Sequence, residues 1–198
     1  LSLPPAQHGQ VPAMLDAAFQ AFAGQHDRNG QLACMSERLA WQLADARFDG
    51  GFDQGLAWLV AALDATDQAE PALQGRAHAV LLHALLYHQP GHTSVAVAAL
   101  ADRCTQLLRR DLPPRIRLGL ATALAHYIGW HGGRERYAPL LRTVAMLLGQ
   151  HPLPAGEKAL WLAMRLFVEG GDSAAPLKAL LRALRGTLHE IPSAERSA

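Results

Sequence analysis

One apolar face recurs five times along the chain at a spacing of 40–41 residues. In its clearest copy, Tyr137, Leu140, Leu141, Val144, Leu147 and Leu148 follow the intervals i, i+3, i+4, i+7, i+10 and i+11, which is one side of an α-helix. Forty residues later, Leu177, Leu180, Leu181, Leu184 and Leu188 keep the register. Forty earlier stand Val97, Leu100, Ala101, Cys104, Leu107 and Leu108. Two further steps of 41 reach Leu56, Leu59, Val60 and Leu63, then Leu15, Ala18, Phe19 and Phe22. A fixed period of this length marks stacked supersecondary units, none of which can bury its apolar face alone.

Composition agrees. Among 198 residues there are 37 Ala and 34 Leu but only 7 Val and 3 Ile. Strands draw on β-branched side chains and helices on Ala and Leu, so a sheet-based fold is excluded. Between the five repeated helices lie four others, expected at about 30–47, 72–89, 114–131 and 156–169. Pro71, Pro114 and Pro154 mark their entrances, where a missing N–H costs nothing. Gly50-Gly51, Gly91, Gly132-Gly133 and Gly170-Gly171 are expected to close them. The expected fold is all-α: an α-α superhelix of about nine helices, a solenoid of hairpins filling residues 1–190 as one array. Residues 191–198 read as a frayed tail. Pro139 implies that its helix either begins late or bends there. The first helix matches the second member of each hairpin, which suggests a segment of a longer array and a homodimer through the exposed N-terminal end.

Segments such as Gly133–Ala138–Leu141–Ala145–Leu148–Pro152 and Gly171-Asp172–Ala175–Ala179-Leu180 resemble the second-helix half of a tetratricopeptide repeat. The resemblance covers roughly residues 40–188 as pattern rather than identity. The period exceeds the 34 residues of that repeat, and its Trp–Leu–Gly–Tyr signature is not reproduced. The chain is most similar in style to the divergent tetratricopeptide-like regions of large bacterial regulators, multi-domain signalling ATPases with a DNA-binding domain. That resemblance implies a part in transcription regulation or signal transduction, through protein binding rather than catalysis.

Two cysteines, Cys34 and Cys104, stand 70 residues apart in no ligand spacing, which fits a reducing compartment, and the cytoplasm is the expected location. Neither a signal peptide nor a membrane span is legible. Residues 1–70 hold nine acids and three bases, a net −6, whereas residues 71–198 hold fifteen bases and eight acids, a net +7. Phosphate loops, nucleophile elbows and zinc patterns are missing, so no catalytic residue, cofactor or metal is expected.

The one patterned chemistry is a repeated motif, His83-x-x-x-Tyr87-His88 and His126-x-x-x-Trp130-His131, at the ends of two successive first helices. Within each copy the histidines lie five apart, about 140° around the helix, and cannot share a site. His83 and His126 can instead face one groove from adjacent helices. In helix 114–131, Ile116, Leu120, Leu124 and Tyr127 read as the core stripe, with small residues opposite and His126 at their margin. His83, Tyr87, His126 and Trp130 are the candidate binding residues. Arg109, Arg110, Arg115 and Arg117, around one inter-repeat turn, are candidate electrostatic contacts. Trp41, Trp58, Trp130 and Trp161 read as core, and Cys104, in the register of Val144 and Leu184, as a small buried hydrophobe.

The expected function is that of a non-enzymatic scaffold or sensor module of a bacterial regulator. Its partner would be a protein, a neighbouring domain of the same chain, or a small ligand, and no membrane. One rival reading is a nucleic-acid-binding solenoid using the Arg-rich C-terminal two-thirds, which this segment alone supports poorly because no aromatics interleave the arginines. Another is an enzyme with a histidine-lined groove.

Overall fold

The computed structural model describes residues 10–45, 48–65, 69–88, 94–170 and 174–191, and among these it contains nine α-helices and no strand. They are α1 (Val11–Gly24), α2 (Arg28–Ala44), α3 (Gly50–Ala65), α4 (Pro71–His88), α5 (Val95–Leu108), α6 (Pro114–His131), α7 (Arg134–Gln150), α8 (Ala155–Glu169) and α9 (Ala174–Glu190). The apolar repeat falls on α1, α3, α5, α7 and α9. The four even-numbered helices pack on one another in sequence, α2 on α4, α4 on α6 and α6 on α8, and form a continuous layer. The odd helices form a second layer: α3 rests on α2 and α4, and α5 on α4 and α6. Terminal α1 pairs with α2, and α9 with α8. The even layer is the tighter one, because among the described residues the odd helices make no comparable contact with each other.

The layering follows from composition along each helix. Arg76 is the one Asp, Glu, Lys or Arg among the 18 residues of α4, and Arg115 and Arg117 are the only two in α6. A helix apolar around its circumference must be covered on every side. Ten residues of α4 and nine of α6 are accordingly buried. Ala77, Val80, Leu81 and Ala84 of α4 join a core with Leu32, Leu39, Phe52 and Leu59, while Ala79, Leu82 and Leu86 join a second core with residues of α5 to α8. Leu85 and Leu100 pack against both.

Several expectations need correction. Gly50-Gly51 opens α3 instead of closing α2: the Asp49 carboxylate accepts from the Gly51 and Phe52 N–H groups, a capping arrangement that holds the first turn. The helix around Pro139 does not begin late, since α7 runs from Arg134 through the proline. The small-residue side of α6 is where α4 and α8 approach, so Thr122 and Ala125 are buried there, and His126, expected at the margin, is buried with them. Val60, expected in the core, is exposed, and Trp130 is an exposed tryptophan; Trp161 and Cys104 are buried as expected. Gly132 and Gly133 adopt φ of 78° and 94°, the second in the left-handed helical conformation, positive values that favour glycine and let α6 reverse into α7. Gly91, Gly171 and the tail from residue 192 lie outside the described residues.

Two contacts should dominate mutational effects. A Cβ on Gly75 of α4 would stand 2.6 Å from Ile116 Cγ2 and 3.2 Å from Leu112 Cδ1 across the α4–α6 contact. Gly75→Val should lower unfolding stability by roughly 1–3 kcal/mol, the usual range for overpacking, as measured by urea denaturation. The Tyr137 hydroxyl of α7 donates to Glu169 of α8 at 2.5 Å, and Arg165 holds the same carboxylate at 2.8 Å and 3.2 Å. Tyr137→Phe should cost about 1 kcal/mol, because Glu169 keeps its arginine; a loss no greater than the error of the same titration would show that the bond ties nothing.

Candidate functional site

Positions 76, 83 and 87 of α4 are separated by seven and four residues, and positions 115, 126 and 130 of α6 by eleven and four. Each set therefore forms one stripe along its helix. Ion pairs and a histidine pair join these stripes across the even layer. Arg76 binds Glu37 of α2 through two hydrogen bonds of 2.9 Å and 3.1 Å, and Arg115 binds Glu157 of α8. Between them His83 and His126 meet, with their Nδ1 atoms 3.3 Å apart.

Around this pair stands a cluster of aromatic rings. Tyr87 lies 4.7 Å from the His126 ring and 6.3 Å from the His83 ring. Trp130, four residues after His126, donates its indole N–H to His126 Nε2 at 3.1 Å. Phe167 of α8 meets His126 edge-on at 5.8 Å and Trp130 at 5.4 Å. Gly129 makes the Phe167 contact feasible, since a Cβ there would stand 2.2 Å from the phenyl ring. His126 is almost fully buried at 4% exposure, whereas Tyr87, Trp130 and Phe167 are 44%, 42% and 44% exposed. The imidazoles form a floor and the three aromatic rings an accessible rim.

The hydrogen bonds fix the tautomers. An indole N–H can only donate, so His126 Nε2 is an acceptor and carries no proton. Neutral His126 then holds its proton on Nδ1 and donates to His83 Nδ1. His83 in turn holds its proton on Nε2. Both rings stay neutral at physiological pH. Burial, reinforced by His126 and Arg76, pushes His83 down to about 3, and burial pushes His126 down to about 4. The order of donation is Trp130 to His126 to His83, ending on a neutral N–H donor.

All four expected binding residues thus come together. His126, however, is a buried floor residue and not a marginal one. The second histidine of each motif copy turns away, as its 140° offset requires: His88 packs near Phe52 and Asp53 of α3, and His131 on Tyr127. Phe167 and the Glu37–Arg76 pair were not anticipated from the sequence. Phe167 stands 41 residues after His126, one repeat on, so extending the register to α8 finds it. The four candidate arginines do not form one patch. Arg115 is tied to Glu157 on the even-helix face, Arg110 is exposed, and Arg109 and Arg117 line a cavity on the opposite side of α6. Among the described residues no three His, Cys, Asp or Glu side chains are placed to hold a metal ion. None of the described helices is long and apolar enough to cross a membrane.

No family model, no curated protein and no solved structure matches the chain. Fold and site therefore define the class: an all-α helical repeat array with an aromatic-rimmed histidine pair on its even-helix layer.

The lowered histidine values set a pH dependence. As pH falls through 6.5 the unfolded chain takes up these protons, while the folded chain resists until about 4. In that window the unfolded state binds more protons, so stability is full above about pH 6.5 and falls as pH drops. The slope is at most about 1.4 kcal/mol per pH unit for each histidine. Urea titrations at several pH values between 4.5 and 7.5 should show a shallower decline for His83→Gln/His126→Gln than for wild type, with buried His78 contributing equally to both. Equal declines would place the acid sensitivity elsewhere.

Proposed function

We propose that the chain is a non-enzymatic, tetratricopeptide-like binding module of a bacterial regulatory protein, working in the cytoplasm as a scaffold or sensor. Its binding face is the even-helix layer around His83, Tyr87, His126, Trp130 and Phe167, and its partner is a protein segment or a neighbouring domain of the same chain. One observation carries this reading. Three aromatic rings from three successive even helices stand exposed together beside a neutral N–H donor. Single exposed apolar residues are ordinary, but an adjoining group of aromatics supplies the rigid anchors that dominate interface energetics. The neutral donor suits a carbonyl acceptor, the commonest polar group a protein partner offers.

The rival readings find less support. A nucleic-acid surface needs a contiguous basic stripe, and Arg115 and Arg117 face opposite sides of α6. For a histidine-based enzyme, the pair would need an imidazole able to exchange protons near neutral pH, and both rings are held well below it.

The exposed rim allows a test that separates binding from folding, which the buried His126 does not. Tyr87→Ala/Trp130→Ala should keep the thermal midpoint of wild type within a few degrees. A partner recovered with the wild-type protein, and identified by mass spectrometry, should bind the variant at least tenfold more weakly in a titration with purified components. Equal affinity with the fold intact would remove the even-helix face as the binding surface.

A further inference from the structure

We propose that the gap between α5 and α7 is a second binding site, built for an elongated amphipathic carboxylate such as a medium-chain fatty acid. The site is independent of the aromatic face. Helices α5 and α7 both rest on α6 and are bridged by the Asp102–Arg136 pair, and a cavity of about 560 Å³ opens between them. That volume lies within the ordinary range for small-molecule sites, about 300–1,000 Å³. On α6 its floor is Leu124, Tyr127 and Ile128, with Leu108 of α5 and Leu140 of α7 as walls. Position 124 is 200° around the helix from His126, so the two sites occupy opposite sides of α6.

Polarity along the cavity selects the ligand. Helices α5 and α6 are antiparallel neighbours, so Arg109 at the end of α5 and Arg117 in the first turn of α6 share one end. Arg117 is half-buried, and its Nε is shut off from solvent with no hydrogen-bond partner among the described residues. Closed to water, that Nε is closed to a ligand as well, so a carboxylate in the cavity would be held by the terminal amino groups of the guanidinium, in a planar, two-pronged bond. Of the acids that line the cavity, Glu135 lies at the other end, at the start of α7, and Asp102, midway along α5, is answered by Arg136 at 3.1 Å. From Arg117 to Tyr127 the floor is ten residues long, about 15 Å at the helical rise. An anionic head at Arg117 with an extended apolar body along Leu124, Tyr127 and Leu140 satisfies both halves of the site.

The test uses the full chain and three probes below their aggregation concentrations: decanoate, decanol and inorganic phosphate. Isothermal titration should show decanoate binding, with decanol and phosphate each at least tenfold weaker. Arg117→Met, which removes the fork but keeps the stem, should weaken decanoate at least tenfold and leave decanol unchanged. Arg117→Lys keeps the charge and loses the fork; it should bind decanoate more weakly than wild type, and it serves as the deciding variant if Arg117→Met does not fold. No decanoate binding to wild type at millimolar concentration would overturn the proposal. So would undiminished decanoate affinity in the folded variant, and so would phosphate binding as tightly as decanoate.

Discussion

The structure depends on the scarcity of charge in two helices. With one Asp, Glu, Lys or Arg in α4 and two in α6, neither helix has a side that water can cover cheaply. Each must be enclosed by neighbours, which is what an array supplies and a lone hairpin does not. The repeated odd helices cover one side, and the adjacent even helices cover the flanks. What remains is a narrow stripe on each even helix facing away from the odd layer. Every polar side chain placed on that stripe is partly desolvated by its neighbours, and it needs a partner within reach.

That requirement organises the candidate site. Arg76 finds Glu37, Arg115 finds Glu157, and the histidines find each other and Trp130. A buried imidazolium would leave a charge without a carboxylate beside it, so both rings remain neutral and bond in sequence as donor and acceptor. The chain of bonds has a direction because an indole can donate but not accept. Neutrality also keeps the neighbouring aromatics available: with no cation drawing water to the floor, the rim formed by Tyr87, Trp130 and Phe167 remains an apolar surface.

Much of this was legible in the residues. The five-fold register located every odd helix, and proline placed the starts of α4 and α6 at Pro71 and Pro114. The repeated His–x-x-x–aromatic spacing picked out residues that do converge, because a motif recurring once per unit must lie on one side of a stacked array. Errors arose where a local signal had two readings. Gly50-Gly51 fits a helix end as well as a helix start, and the preceding Asp49 decided the matter through its capping bonds. A stripe drawn on α6 alone could not reveal that α4 and α8 close over its small-residue side and bury His126. Val60 holds a core register position yet is exposed, as the flank of an odd helix can be where the next odd helix does not reach it.

The base excess of residues 71–198 is resolved by geometry in the same way. Surface pairs such as Asp102–Arg136 and Arg115–Glu157 join different helices, but exposed ion pairs contribute little to stability. They matter more for where they leave charge unanswered. Of the half-buried arginines, Arg38 faces Asp16, Arg76 faces Glu37 and Arg165 faces Glu169, while Arg103 reaches the Gln106 amide oxygen. Arg117 instead faces the opening between α5 and α7, with its Nε buried and without an acceptor. A carboxylate from outside the chain would give the Arg117 guanidinium the kind of partner that Arg38, Arg76 and Arg165 find within it. The splay of the odd helices that opens the cavity and the arginine left inside it are thus two consequences of one architecture: an even layer packed too tightly to admit a ligand, and an odd layer too open to exclude one.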